Sequence, residues 1–76
     1  IALFNIGKCY EKSGDLKNAA KFFKNVIKKN PDHVESRKKL IPIYKELNKF
    51  REARKECEII YMLDRSVYNS IKFCNE

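Results

Sequence analysis

The chain has 76 residues, of which 17 are Lys or Arg and 10 are Asp or Glu, giving a formal net charge of +7. With 43% hydrophobic and 36% charged residues it falls outside the disordered class, and no apolar run approaches the ~18 residues that a membrane helix needs. This length allows one small domain whose core is marginal by itself, because a short chain buries a small fraction of its surface.

The chain opens on Ile1, Ala2, Leu3 and Phe4, already apolar and without a starting Met, and reads as a piece of a longer protein. It shows no signal-peptide pattern and no Asn-x-Ser/Thr acceptor. The first periodic segment places Leu3, Ile6, Gly7 and Tyr10 at three- and four-residue spacing, one face of a helix. Ser13-Gly14-Asp15 ends it: Gly14 can take the left-handed conformation that closes a helix, and Asp15 can cap the next one. Leu16, Ala19, Ala20, Phe23, Val26 and Ile27 form a second stripe, and Lys28 and Lys29 suit the negative end of its dipole. Asn30-Pro31-Asp32 is the strongest break, since Pro31 cannot continue the preceding helix. Asp32 with Glu35 three residues on resembles a capping box.

A third stripe follows on Val34, Leu40, Ile41, Tyr44 and Leu47, with Asn48 as its break. Pro42 lies inside this helix, where it removes a backbone hydrogen bond and favours a kink. Phe50, Ala53, Cys57, Ile60 and Tyr61 form a fourth stripe. After a turn near Asp64-Arg65-Ser66, Val67 and Ile71 with Phe73 or Cys74 start a fifth helix.

A shift of 34 residues brings Tyr10 onto Tyr44 and Ala19 onto Ala53. The same shift sets Ile6 on Leu40, Leu16 on Phe50, Phe23 on Cys57 and Val26 on Ile60. A repeat of two helices at that period resembles a member of a solenoid family. The pattern Leu3-x-x-Ile6-Gly7-x-x-Tyr10, then Gly14-Asp15, Ala19, Phe23 and Pro31, resembles a complete tetratricopeptide repeat. A second copy matches at Leu40, Tyr44, Ala53 and Cys57; it departs at Ile41, where the family has a small residue, and at Arg65, where it has Pro. The resemblance implies an all-α fold of helix–turn–helix repeats in a right-handed α-solenoid. It divides the chain into a first repeat over 1–33, a second over 34–66 and the start of a further or capping helix over 67–76. Gly7 and Ala19 are small where two helices must approach closely, which offsets the cost of ~1 kcal/mol that Gly carries in a helix interior. Such repeats are stable only when stacked.

Little in the sequence carries chemistry. The only His is His33 and the two glycines are Gly7 and Gly14, so there is neither a metal-binding Cys/His cluster nor a phosphate loop. Glu11 with Asp15, and Glu52 with Glu56, lie one turn apart and read as solvated faces rather than acid/base pairs. Cys9, Cys57 and Cys74 are odd in number and irregular in spacing, which suggests neither a disulfide framework nor a metal site. Cys57 reads as a small buried hydrophobe, and a reducing compartment is the simpler assumption. The expected chain is not an enzyme, needs no cofactor and has no small-molecule substrate.

The resemblance also locates a binding surface. In the family the first helix of each repeat lines a concave groove that takes extended peptides or partner helices. The positions that carry over are Phe4, Asn5, Lys8, Glu11 and Lys12, then Glu35, Lys38, Lys39, Pro42, Lys45 and Glu46, with five Lys against three acids. Those lysines would steer an acidic peptide, with Phe4 as an apolar foothold. A solvated reading competes, since 13 of the 17 basic residues are Lys and Ile and Asn are abundant, a bias of AT-rich genomes. The family's clamp for a C-terminal carboxylate is excluded, because its positions hold Phe4, Lys8, Lys39, Asn69 and Phe73. Arg37 could reach back to an acid such as Glu35 or to the previous repeat, and the favoured reading is a solvent-facing side chain. The expected role is a protein-binding scaffold in a larger intracellular complex, in cytoplasm or nucleus, with no membrane contact. The alternative is a nucleic-acid-associated module of a transcription or RNA-processing assembly. The stretch Pro31 to Leu47, with Arg37, Leu40 and Tyr44, is similar to arrays in the large repeat subunit of transcription factor IIIC. Against nucleic acid, Tyr10, Phe23, Tyr44 and Phe50 fall on the core stripes, leaving Phe22 and Tyr68 as the freer rings.

Overall fold

The computed structural model describes residues 2–76; Ile1, read above as part of the apolar start, lies outside them. Among the described residues the chain forms α1 (Leu3–Ser13), α2 (Leu16–Lys29), α3 (Val34–Glu46), α4 (Phe50–Leu63) and α5 (Arg65–Ser70), then a single 3-10 turn, Phe73–Asn75, and no strand. α1 packs on α2 and α3 on α4 as two hairpins; α2 lies against α3, and α5 against α4.

The 34-residue period is repeated in the backbone. Gly14 is left-handed at φ 85°, its N–H donates to the Glu11 carbonyl and the Asp15 N–H donates to that of Tyr10, the pair of hydrogen bonds that closes a helix around a left-handed residue. In the second unit Asn48, at φ 60°, stands where Gly14 stood. Its N–H reaches the Lys45 carbonyl and the Lys49 N–H that of Tyr44. Asn is one of the few residues with a side chain that tolerates this conformation. The far ends match as well, with Asn30 N–H on the Val26 carbonyl and Asp64 N–H on that of Ile60, both at 2.8 Å.

Asp15 caps α2 as expected, accepting from the Asn18 N–H. The Asp32–Glu35 capping box is not formed. The chain is still turning at Pro31 and Asp32, so α3 starts later, and His33 caps it through Nδ1, which accepts the Ser36 N–H at 3.2 Å. The turn expected over 64–66 is also shorter: Asp64 caps α5 through the Val67 N–H and Arg65 is already helical. The fifth helix then stops early. Ile71 is extended, and Asn75 Nδ2 donates to the carbonyls of Tyr68 at 2.9 Å and Ile71 at 2.8 Å, which folds the tail back instead of continuing the helix.

The core is built from Ala19, Phe23, Leu40, Ile43, Ala53 and Ile60, all at most 2% exposed. Gly7 is a steric requirement: a Cβ there would lie 2.8 Å from Phe23 Cε1, closer than packed carbons tolerate. Phe50, assigned to the fourth stripe, is instead 51% exposed, and the outer flank of α4 at Tyr61, Met62 and Leu63 is exposed as well, with Tyr61 partly covered by Tyr68 and Arg65. α3 continues through Pro42 to Glu46; Pro42 and Lys38 are both exposed, so water can satisfy the carbonyl that the proline leaves free.

The cysteine reading is corrected. Cys57 and Cys74 form a disulfide, with Cα atoms 5.4 Å apart, and only Cys9 is free and exposed. Cys57 is buried as expected, but as half of a cross-link. The partner comes within reach because the tail folds back on α4, which spacing alone does not reveal.

Candidate functional site

α1 and α3 are tied side by side by a long ion pair, Lys39 Nζ to Glu11 Oε1 at 3.5 Å. Both side chains are about a third exposed, so the pair is worth little energetically, but it removes Lys39 from the set of free cations. Phe4 is half-buried at the start of α1. Its ring centroid lies 5.5 Å from that of Phe23 and 5.2 Å from that of His33, and Lys8 Nζ sits 5.4 Å over it. Much of the foothold assigned to Phe4 is therefore spent on the hairpin itself. Asn5 and Lys12 are exposed on α1.

The other predicted residues meet at a second place. Lys38, Pro42 and Lys45 of α3, with Ile41, line a cleft of about 320 Å³ whose far wall is Ser70, Ile71, Lys72 and Phe73. Lys45 Nζ lies 4.9 Å over the Phe73 ring. Phe73 is fixed from behind by Arg54, whose guanidinium stacks at 4.4 Å and donates to the Phe73 carbonyl at 3.1 Å. The predicted groove residues thus divide into a Phe4–Lys8 end and a Lys38–Pro42–Lys45 end, with Lys39 paired between them. Sequence reasoning missed Ile71, Lys72, Phe73 and Arg54 as contributors, because their placement depends on the folded-back tail. The apolar pattern at Ile71 and Phe73 was the only signal.

Three further readings are corrected here. Arg37 is 8% exposed and makes a 2.8 Å bond from its guanidinium to Glu56 Oε1, while its Nε donates to the Pro31 carbonyl at 2.9 Å. Glu56 is accordingly buried rather than part of a solvated face. The rings read as freer are engaged: Phe22 stacks on Tyr10 with centroids 5.5 Å apart, and Tyr68 donates its hydroxyl to the Cys74 carbonyl at 3.0 Å.

The strongest electrostatic perturbation is at Tyr44. Burial, then the Glu56 and Glu52 carboxylates, push its phenol up to about 12 from 10.0, against the lowering effect of Arg37. Both folded and unfolded chains hold the proton below pH 10. Above it the unfolded chain releases the proton and the folded chain keeps it, so this contribution to stability is full below pH 10 and is lost as pH rises to about 12. Urea midpoints measured from pH 9 upward should fall more steeply for the parent chain than for Tyr44→Phe. Parallel curves would remove the assignment.

Residues 1–33 match the family model described as Tetratricopeptide repeat. No curated protein and no solved structure matches the chain. The matched segment is the α1–α2 hairpin with Gly7 wedged on Phe23, the left-handed Gly14 closure and the Pro31 break; over this segment the chain is similar to a tetratricopeptide repeat.

Proposed function

We propose that the chain is a non-catalytic binding module that takes an acidic peptide or the acidic face of a partner helix across α1 and α3, within a larger intracellular assembly. The observation that carries this reading is the cleft at Pro42. Lys38, Lys45 and Lys72 surround an apolar floor of Ile41, Pro42, Ile71 and Phe73, and no carboxylate lines it. Three ammonium groups raise the encounter rate with an anionic partner, and the floor supplies area that becomes buried only when an apolar side chain enters. Pro42 widens the apolar surface and presents no N–H, so the cleft selects side chains rather than adding a strand to a backbone edge. Tetratricopeptide repeats as a family bind proteins and peptides, which fits this use.

The test is a pull-down from source lysate at low and high salt, with eluted proteins and nucleic acids identified, comparing the parent chain with Lys38→Glu/Lys45→Glu. Lys39 is left alone because it is paired. A discrete protein partner reduced about tenfold in the variant, the equivalent of 1.4 kcal/mol, is the expected result. Partners insensitive to the charge reversal would remove the cleft from the function. Nucleic acid as the main salt-sensitive yield would replace this reading with a nucleic-acid-associated one.

A further inference from the structure

α2 holds a second cationic surface that the α1–α3 reading does not use. Its fourteen residues contain Lys17, Lys21, Lys24, Lys28 and Lys29 and no acid. Lys17, Lys21, Lys24 and Lys28 recur at four-, three- and four-residue spacing, a ladder on one face. Like charges one turn apart repel, and among the described residues the ion pairs are Arg37–Glu56 and Lys39–Glu11 alone, so nothing in the fold neutralises the ladder. The other hairpin helix at this position, α4, intersperses Arg51, Arg54 and Lys55 with Glu52, Glu56 and Glu58, which shows that the architecture does not itself demand an acid-free helix.

The ladder borders a concavity. Lys17, Lys21 and Lys24 face Lys49 across a cleft of about 350 Å³ whose floor is Ala20, Tyr44 and Leu47. Asn25 adds an amide at its rim. Lys49 is carried there by the left-handed Asn48, through the 2.7 Å bond from the Lys49 N–H to the Tyr44 carbonyl. No carboxylate lines the cleft, and it shares no residue with the cleft at Pro42.

We propose that this cleft between α2 and the α3–α4 turn is a second docking site, occupied by an acidic peptide segment that carries one apolar side chain flanked by carboxylates. The charge pattern selects this occupant. Four separated ammonium groups match carboxylates spread on either side of an anchor, and the Ala20–Tyr44–Leu47 floor matches the anchor. A nucleic-acid strand would meet the charges but find no ring to stack on, since Tyr44 is 6% exposed and presents no free aromatic face to a base. The volume accommodates one or two apolar side chains at the small end of peptide and ligand sites.

The experiment is a titration of the ¹⁵N-labelled chain, followed by amide shifts, with the probe acetyl-Glu-Glu-Leu-Glu-Glu-amide. Two control probes have serine in place of the leucine, or are an oligothymidylate of equal charge. The expected result is saturable shifts centred on Lys21, Lys24, Asn25, Leu47 and Lys49. Lys21→Glu/Lys24→Glu weakens binding at these amides about tenfold, whereas Lys38→Glu/Lys45→Glu changes it less than about twofold. Exposed lysines are reversed in both variants, and dispersed spectra confirm that each is folded. Three results would overturn the proposal: no saturable shift at the cleft, serine probe or oligothymidylate bound as tightly as the leucine probe, or binding indifferent to Lys21→Glu/Lys24→Glu. Because the two clefts carry separate variants, loss of the Pro42 reading leaves this one standing, and the reverse.

Discussion

Glu56→Ala should remove about 3–5 kcal/mol of folding free energy, because it leaves the Arg37 guanidinium buried and uncompensated. The side chains of the pair are each only 10% exposed, and Arg37 keeps one remaining internal acceptor, the Pro31 carbonyl at 2.9 Å. A chain of 76 residues has on the order of 4–11 kcal/mol in total at typical stability per residue, so the loss is comparable with the whole and Glu56→Ala should be largely unfolded at physiological temperature. Arg37→Met/Glu56→Leu, which removes both charges at similar volume, should come within about 1 kcal/mol of the parent or exceed it, since a buried ion pair recovers little beyond its own desolvation. Urea unfolding followed by circular dichroism separates the two cases. If the double variant falls as far as Glu56→Ala, the pair is contributing net stability, and the desolvation argument fails at this site. The geometry gives the pair a positional role in either case: it ties α3 to α4 and to the Pro31 turn, and so fixes the face from which Lys38 and Lys45 project.

The repeat was legible because its signals are local. Gly14 closes α1 because an unbranched backbone accepts φ 85°, and its counterpart 34 residues on is Asn48, the next most tolerant type. Gly7 was legible for a different reason: a small residue on an otherwise large stripe marks a close approach, and Phe23 fills that space. What escaped the sequence depends on how elements turn relative to one another. Arg37 and Glu56 are 19 residues apart on different helices, and nothing in either segment says that the two side chains face the same interior. Phe50 lies on an apolar stripe by spacing, yet a stripe is buried only where a neighbour covers it, and Phe50 stays 51% exposed at the start of α4. The candidate site was half legible. Lys38, Pro42 and Lys45 were placed by the family resemblance, whereas the wall opposite them comes from a tail whose reversal at Ile71 no periodicity encodes.

That wall is the subject of the second large effect. Reducing the Cys57–Cys74 disulfide, or replacing both residues by Ser, should destabilise the tail by about 3 kcal/mol, the loop-closure entropy for a separation of 17 residues. The loss should be local. The cross-linked loop contains all of α5, while the α1–α2 and α3–α4 hairpins lie outside it except for the last turns of α4. Against release of the tail stand burial of Phe73, which is 9% exposed and contributes roughly 1.5–3 kcal/mol, and its contacts with Arg54 and Lys45. The two magnitudes are close, so reduction should leave the tail fraying on and off α4 rather than permanently detached. Hydrogen exchange with and without a phosphine reductant measures this: protection at Val67, Tyr68 and Cys74 should fall by about two powers of ten, and protection across α1–α3 should hold. In a reducing compartment the thiols are the standing state, and the cleft at Pro42 would then keep its far wall only for the fraction of time that Phe73 is docked. An acidic partner that enters beside Phe73 would restore protection to the tail as it binds, whereas exchange at Val67 and Cys74 that ignores both the reductant and the partner would separate the tail from the site.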